Sequence, residues 1–520
     1  MIERKFRKIT AEGVRTKQFG DRGFVEIDPS VLQALTAEAF QDVSFFLRSD
    51  HLDELAAIID DEKSSANDRY VCQALVKNAI IASEGKLPLC QDTGTATVFA
   101  WRGEGILTGG GDKKAIEEGI CQAWKNNNLR YSQVAAIDMF TEKNTGNNLP
   151  AQIEINFAAG DEYHFLFMAK GGGSANKTIL HQGSRTLLND RAFAEFLREK
   201  IFSLGVAACP PYTLVVVVGG TSPENNLKTM KLATAGYYDD LPTQGDGSGK
   251  PFRDSFWEEQ VLKIAAETGW GAQFGGAHMA IAARVIRLPR HAGSCPVSVG
   301  VSCSAHRNVL GKITSEGAFL EVLDRNPAHL LNKCLIDNDS LPRIDLDRSM
   351  KEIISQLEKF RAGDLVLLSG TMVVARDMAH ARIFEMAQSG LPIPEYFKKH
   401  PVYYAGPTKT PTGYPIGSFG PTTAQRMDEY VDFFMARQAS MVMLAKGNRS
   451  ESVVEACQKH GGFYLGTIGG AAALIAKENI LESEVIDFEE FGMEAVHRIR
   501  VNKLPAFIIY DNNGGRLYQK

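Results

Sequence analysis

The chain has 520 residues, 44% of them hydrophobic and 23% charged, a composition ordinary for soluble globular proteins and a length too great for one apolar core. Its 57 basic and 62 acidic side chains leave a formal net charge of −5 without any long basic block, so nucleic-acid binding through overall charge is not expected. The longest apolar runs are strand-sized, and no signal-type apolar stretch follows the charged opening Met1-Ile2-Glu3-Arg4-Lys5; the expectation is a cytoplasmic protein with reduced thiols and no membrane partner.

In chain order, Tyr70 to Ile81 carries Val71, Leu75 and Ala79 at helical spacing and stops at Gly85 and Pro88. Cys90 stands in the turn that follows, Leu87-Pro88-Leu89-Cys90-Gln91-Asp92-Thr93-Gly94, with an amide and a carboxylate beside the thiol. Thr95 to Trp101 and Glu162 to Ala169 read as strands, the second running straight into Lys170-Gly171-Gly172-Gly173-Ser174-Ala175-Asn176-Lys177-Thr178. That segment resembles a phosphate loop, but Asn176 stands where the final glycine belongs, which counts against a P-loop-like nucleotide hydrolase. Glycines there still let backbone N–H groups approach an anion, and a small carboxylate suits such a nest.

Farther on, a helical stretch ends near Gly205, Cys209 precedes Pro210-Pro211, and Tyr212 to Val218 is a buried strand. Gly245 to Lys250 is a weaker loop look-alike, read as a surface loop because Pro251 replaces the hydroxyl residue. Residues 269 to 308 are rich in small side chains, and Pro296 to Cys303 puts Val297, Val299, Val301 and Cys303 on one face. Asp, Asn and Pro accumulate between Leu323 and Pro342, where a seam is expected. Beyond it Asp364 to Ser369, Ser440 to Ala445 and Ala506 to Tyr510 read as strands, the first two each followed by a helical segment. The fold class is α/β in two domains: residues 1–325 as a mixed α+β unit, 326–341 as linker, and 342–520 as a smaller α/β unit.

Eight cysteines without a C-x-x-C favour metal or catalytic use over a disulfide framework. Cys72, Cys121, Cys334 and Cys457 have apolar neighbours at helical spacing and read as inert buried thiols, while Cys295, in a loop before Pro296, is left open as a ligand. Cys90, Cys209 and Cys303 each stand where an element ends. Three isolated thiolates can hold an iron–sulfur cluster and leave one iron without a protein ligand, as a Lewis-acid catalyst requires.

Gly417 to Arg426 opens a helix with Pro421 and two threonines, placing Thr422 and Arg426 on one face where free N–H groups favour an anion; the competing reading is an N-cap beside a solvated arginine. Arg376 and Lys446 each follow a predicted strand, the usual place for ligand contacts in α/β sheets. These cations and the glycine nest suit a substrate with two carboxylates. His291, in a glycine-containing loop near Cys303, is a further candidate donor, ahead of His306 and His380.

The segments Leu-Pro-Leu-Cys90-Gln-Asp-Thr-Gly, Lys-Gly-Gly-Gly-Ser-Ala-Asn-Lys177, Ala-Ala-Cys209-Pro-Pro, Ser-Gly-Thr-Met-Val-Val-Ala-Arg376-Asp, Gly-Pro-Thr422-Thr-Ala-Gln-Arg426 and Met-Leu-Ala-Lys446-Gly-Asn-Arg-Ser resemble those of class I fumarate hydratases, over nearly the whole chain. The resemblance implies a homodimer whose site lies between the two domains, with a four-iron, four-sulfur cluster on Cys90, Cys209 and Cys303. It implies that Gln91, Arg130, Gly173, Arg376, Arg426 and Lys446 hold a small dicarboxylate, fumarate or L-malate, that His291 lines the site, and that Asp92 and Thr422 form the acid/base pair. Mesaconate and tartrate hydro-lyases are the related alternatives; a pocket tells one methyl group by only about 1–3 kcal/mol.

Overall fold

The computed structural model describes residues 4–336 and 338–518. Met1, Ile2 and Glu3 of the charged opening, Asp337 within the expected seam, and the last two residues lie outside the described residues.

Helices and strands alternate through a large α/β architecture, as the periodicity predicts. Three main sheets organise it. The first has six strands in the order Phe6–Thr10, Gly317–Glu321, Asn308–Thr314, Tyr163–Lys170, Thr95–Gly103 and Gln152–Ala158. The second has five: Ile179–Gly183, Cys295–Ser302, Tyr212–Gly220, Ala280–Arg290 and Phe252–Arg253. Tyr212–Gly220 is buried along its whole length because sheet neighbours flank it on both sides and helices cover its faces, which explains its unbroken valine run.

The third sheet belongs to the second half. Leu365–Val374, Val402–Tyr403, Val442–Ala445 and Phe463–Gly466 run parallel, and the long strand Val496–Tyr510 pairs antiparallel with both the first and the last of them. The ring of strands is thereby closed, and among the described residues only the attached strands Arg343–Asp345 and Ile480–Asp487 are left as edges.

The largest apolar core ignores the seam. Helices Ser49–Asp60 and Ala66–Ala82, together with Val206, Trp270 and Phe274 of the first half, pack into one cluster with the third sheet. Phe274 stacks on Phe507 with ring centroids 4.0 Å apart. The segment expected as a linker also contributes, since Leu330 and Cys334 are buried in that cluster. Cys334 caps a short 3-10 turn rather than lying in an α-helix, Cys121 is half-buried with its thiol toward the Asn147 carbonyl, and Cys295 begins a strand instead of lying in a loop. Cys295 is fully buried among valines, a packing position. Cys72 and Cys457 are buried, as expected.

Candidate active site

Each of the three singled-out thiols leaves a turn that other parts of the chain hold in place. Leu89 donates its N–H to the Ser44 carbonyl (2.9 Å) and accepts from Asn78 Nδ2 (3.0 Å), which anchors the Cys90 turn on two helices. Cys209 adopts φ +63°, a conformation uncommon for a residue with a side chain. Its carbonyl accepts from the Ser304 N–H at 3.0 Å, tying the turns of Cys209 and Cys303 together. The Cys303 turn is further fixed by His51 Nε2 against the Ser304 carbonyl (2.8 Å) and by Ser302 Oγ against His306 Nδ1 (2.7 Å). Cys90 and Cys209 each lie within electrostatic reach of the other and of Cys303.

Asp92 is held at both oxygens. Oδ1 accepts from the Gly94 N–H (3.1 Å) and faces Arg130 Nη2 at 3.7 Å, and Oδ2 accepts from the Gly172 N–H at 2.8 Å. The glycine nest is thus engaged by the protein's own carboxylate. A Cβ on Gly171 would come within 2.9 Å of Asp92 Oδ2, so glycine there lets the carboxylate lie close without being displaced. The segment Gly172–Ala175 is a single short turn, which removes the long helix a phosphate loop would need. Burial pushes the Asp92 carboxyl up, but Arg130, Arg307, the Gly172 N–H and Lys446 outweigh it and hold it below the ordinary carboxylate range.

The second half supplies its groups from ends of the parallel strands and the turns beside them. Arg376 follows Leu365–Val374, Thr422 follows the short strand Phe419–Pro421, and Lys446 follows Val442–Ala445. Lys446 Nζ reaches across to Cys209 Sγ at 2.9 Å, and Gln91 Nε2 reaches back to the Pro421 carbonyl at 2.8 Å. Burial draws the Lys446 pKa down, but the charges of Cys209, Cys90 and Asp92 leave it raised, so the amine stays protonated. Gly173 stands open beside it: a Cβ there would meet Lys446 Nζ at 3.9 Å.

Arg376 is buried and pairs with Glu494 at 2.5 Å; burial lowers its pKa to about 10. Arg426 pairs with Asp377 at 2.7 Å and is half exposed. Thr422 caps nothing: its hydroxyl donates to the Tyr404 carbonyl at 3.2 Å, and Ala424–Met427 is a 3-10 turn ahead of the helix Asp428–Met435. Two guanidinium nitrogens close to this group, Arg130 Nη1 and Arg376 Nε, are buried without a hydrogen-bond partner among the described residues. Buried donors of that kind ask for an acceptor that a bound carboxylate supplies.

His291 is the residue the structure does not bring in. It is exposed, and among the described residues its imidazole Nδ1 accepts only the Gly293 N–H (3.1 Å). It precedes the strand Cys295–Ser302 while Cys303 follows it, so the 8 extended residues between them set the two roughly 26 Å apart. His380 is buried against Phe397, Tyr404 and Phe434, and burial lowers its pKa to about 4; it is a packed side chain whose Nδ1 lies 2.9 Å from the Arg376 carbonyl.

Sequence reasoning passed over Gln273 and Arg307. Gln273 Nε2 donates to the carbonyls of Pro210 and Gly469 at 2.9 Å each, and its Oε1 accepts from the Gly469 N–H at 2.8 Å, stitching the Cys209 turn to the second half. A lone glutamine in a glycine-rich stretch carries no periodic signal.

The three thiols suit an iron–sulfur group. Among the described residues no His, Cys, Asp or Glu triple could hold a single ion, whereas a cluster spreads its thiolates farther apart. Burial pushes the Cys209 thiol up to about 11 and raises Cys90 as well, so the thiols ionise when metal binds, with Lys446 and Arg307 at hand to offset the charge.

Comparison with known proteins agrees. Residues 33–312 match the family model described as fumarate hydratase, and residues 317–520 match that of the fumarase C-terminus. The chain is 49% identical over 514 residues to the anaerobic class I fumarate hydratase of Escherichia coli K12, covering 98% of this chain and 94% of that one. It is 51% identical over 502 residues to fumarate hydratase 2 of Leishmania major (96% and 88% covered) and 48% over 527 residues to that organism's mitochondrial fumarate hydratase 1 (100% and 95%).

Proposed function

Since the chain belongs to the class I fumarate hydratase family, with an iron–sulfur cofactor and a small dicarboxylate substrate, we propose that it reversibly hydrates fumarate to L-malate at a site shared by its two halves. The observation that carries this is the contact of Lys446 Nζ with Cys209 Sγ at 2.9 Å, which sets a cation of the second half against a thiol of the first.

Cys90, Cys209 and Cys303 would hold a four-iron, four-sulfur cluster. When bound, such a cluster supplies a Lewis-acidic iron without a protein ligand, suited to a hydroxyl leaving group. Arg130, Arg376, Arg426 and Lys446 would bind the substrate carboxylates, with Gln91 and the open backbone at Gly173 completing the cradle. Their charge also stabilises the anionic character that grows as the carbon next to a carboxylate loses its proton. Asp92 and Thr422 would move the protons: Asp92 has its oxygens fixed by Gly94, Gly172 and Arg130, and Thr422 offers a hydroxyl polarised by the Tyr404 carbonyl.

A homodimer is supported by the hairpin formed by Val134–Ala136 and Glu142–Asn144, whose tip leaves Ile137, Met139 (85%) and Phe140 (93%) exposed. His291, exposed and away from these groups within one chain, is proposed to line the site from such a second copy. The division at 1–325, 326–341 and 342–520 is proposed as one of function, cluster against substrate cations, because the main core is common to both halves. All eight cysteines are free, in keeping with a reducing compartment such as the cytoplasm, and no described helix is long and apolar enough to cross a membrane.

The test is to load the purified chain with iron and sulfide without oxygen and follow loss of the fumarate absorbance. Activity should appear with the visible absorbance of the cluster and vanish in air; equal activity in iron-free protein would overturn the reading.

A further inference from the structure

Arg307 immediately precedes the strand Asn308–Thr314, next to the Cys303 turn, and its backbone is fixed by the Ala169 N–H on its carbonyl at 3.1 Å. Only 5% of the residue is exposed. Its guanidinium makes no ion pair or hydrogen bond among the described residues, and Nε is buried without any partner. Asp92 feels its charge but does not pair with it, since the Asp92 oxygens are taken by Gly94, Gly172 and Arg130. Arg307 lines a cavity of about 20 Å³ together with Cys303, Lys170 and Gly171, and Cys90 is also within reach of its charge.

A buried guanidinium whose N–H groups lack an acceptor is costly, because its donors have given up water for nothing. The cavity is large enough for about one water, which would accept one N–H bond but neutralise no charge. Apart from Asp92, whose oxygens are already engaged by Gly94, Gly172 and Arg130, the neighbouring groups that could become anionic are the thiols. Three thiolates and the inorganic sulfides leave a bound cluster anionic overall, with sulfur acceptors on its surface.

We propose that Arg307 is the internal counter-ion of the cluster, donating N–H bonds to sulfur on the side held by Cys90 and Cys303. It is a positioning residue, and the proposal rests on the three-thiol reading above. Arginine suits the place because its planar fork stays charged when buried and offers several donors in fixed directions. Hydrogen bonds to cluster sulfurs raise the stability of the assembly and set its potential.

The experiment compares wild type with Arg307→Met and Arg307→Lys, each loaded anaerobically with iron and sulfide. Iron loss to a chelator is followed by visible absorbance, alongside thermal unfolding of the metal-free proteins. With a charge-assisted bond to cluster sulfur removed, Arg307→Met should lose iron roughly tenfold faster or more, with Arg307→Lys between it and wild type. The metal-free Arg307→Met protein should unfold at or above the wild-type temperature, because an unpaired buried charge has been removed. Wild-type iron retention in Arg307→Met would overturn the proposal, as would an unchanged cluster accompanied by a raised KM for fumarate, which would make Arg307 a substrate ligand. If Arg307→Met does not fold, the Lys variant decides: iron loss at the wild-type rate overturns it. If wild type itself takes up no cluster, the three-thiol reading falls first, and this proposal with it.

Discussion

The thiol-bearing turns and the cation-bearing strand ends meet at one site but are built by different means. Cys90, Cys209 and Cys303 sit in irregular turns joined by single hydrogen bonds such as Ser304 N–H to the Cys209 carbonyl, and by the Gln273 stitch to Gly469. Arg376 and Lys446 project from the ends of parallel strands, with Thr422 just past the short strand Phe419–Pro421 beside them, so regular sheet geometry positions that side. A metal cluster tolerates turns because it draws its own ligands together on binding, whereas proton transfer and carboxylate recognition need groups placed correctly beforehand. Damage on the thiol side should therefore be all-or-none, and damage on the cation side graded.

The largest effect is expected from Cys90→Ser, Cys209→Ser or Cys303→Ser, each abolishing visible absorbance and activity together. Partial loading with normal turnover per cluster in any of them would break the distinction. Next comes Thr422→Ala, which should leave the cluster spectrum intact and lower kcat by roughly 10²–10⁴-fold with little change in KM. Because the hydroxyl caps no helix, its loss should barely move the melting temperature, and a large drop in stability with normal kcat would make Thr422 structural.

Phe274→Ala addresses what the two sides share. Removing a ring stacked on Phe507 should cost about 3–5 kcal/mol in chemical denaturation, monitored from both halves in one transition. The same common core predicts that pieces divided near Leu335 will be insoluble apart; two soluble folded halves would show the core to be separable. A smaller, sharper effect is expected from Gly171→Ala. Its Cβ would press on Asp92 Oδ2, turning the carboxylate and lowering kcat by about tenfold while the cluster remains. Cys72→Ser and Cys457→Ser should change cluster absorbance least of all, since both thiols are packed away from the site.

Much of this was legible in the residues themselves. Periodicity located the helix around Tyr70–Ile81 and the valine strand Tyr212–Val218, and the ends of those elements marked the turns of Cys90 and Cys209. The motif segments sufficed to name a family, because side chains that act through local chemistry keep their local context. What stayed hidden depends on distance through space. His291 and Cys303 look adjacent in sequence, but an extended strand separates them. The seam near Leu335 marks a change of pattern, yet the core crosses it because Ala66–Ala82 packs on a sheet formed far downstream. Arg307 shows no motif of its own, and only the packed structure reveals a buried guanidinium nitrogen without a hydrogen-bond partner among the described residues. A sequence states which groups are available and which local conformations they favour; burial and the meeting of remote turns follow from how the apolar faces close on one another, and only the tertiary structure decides that.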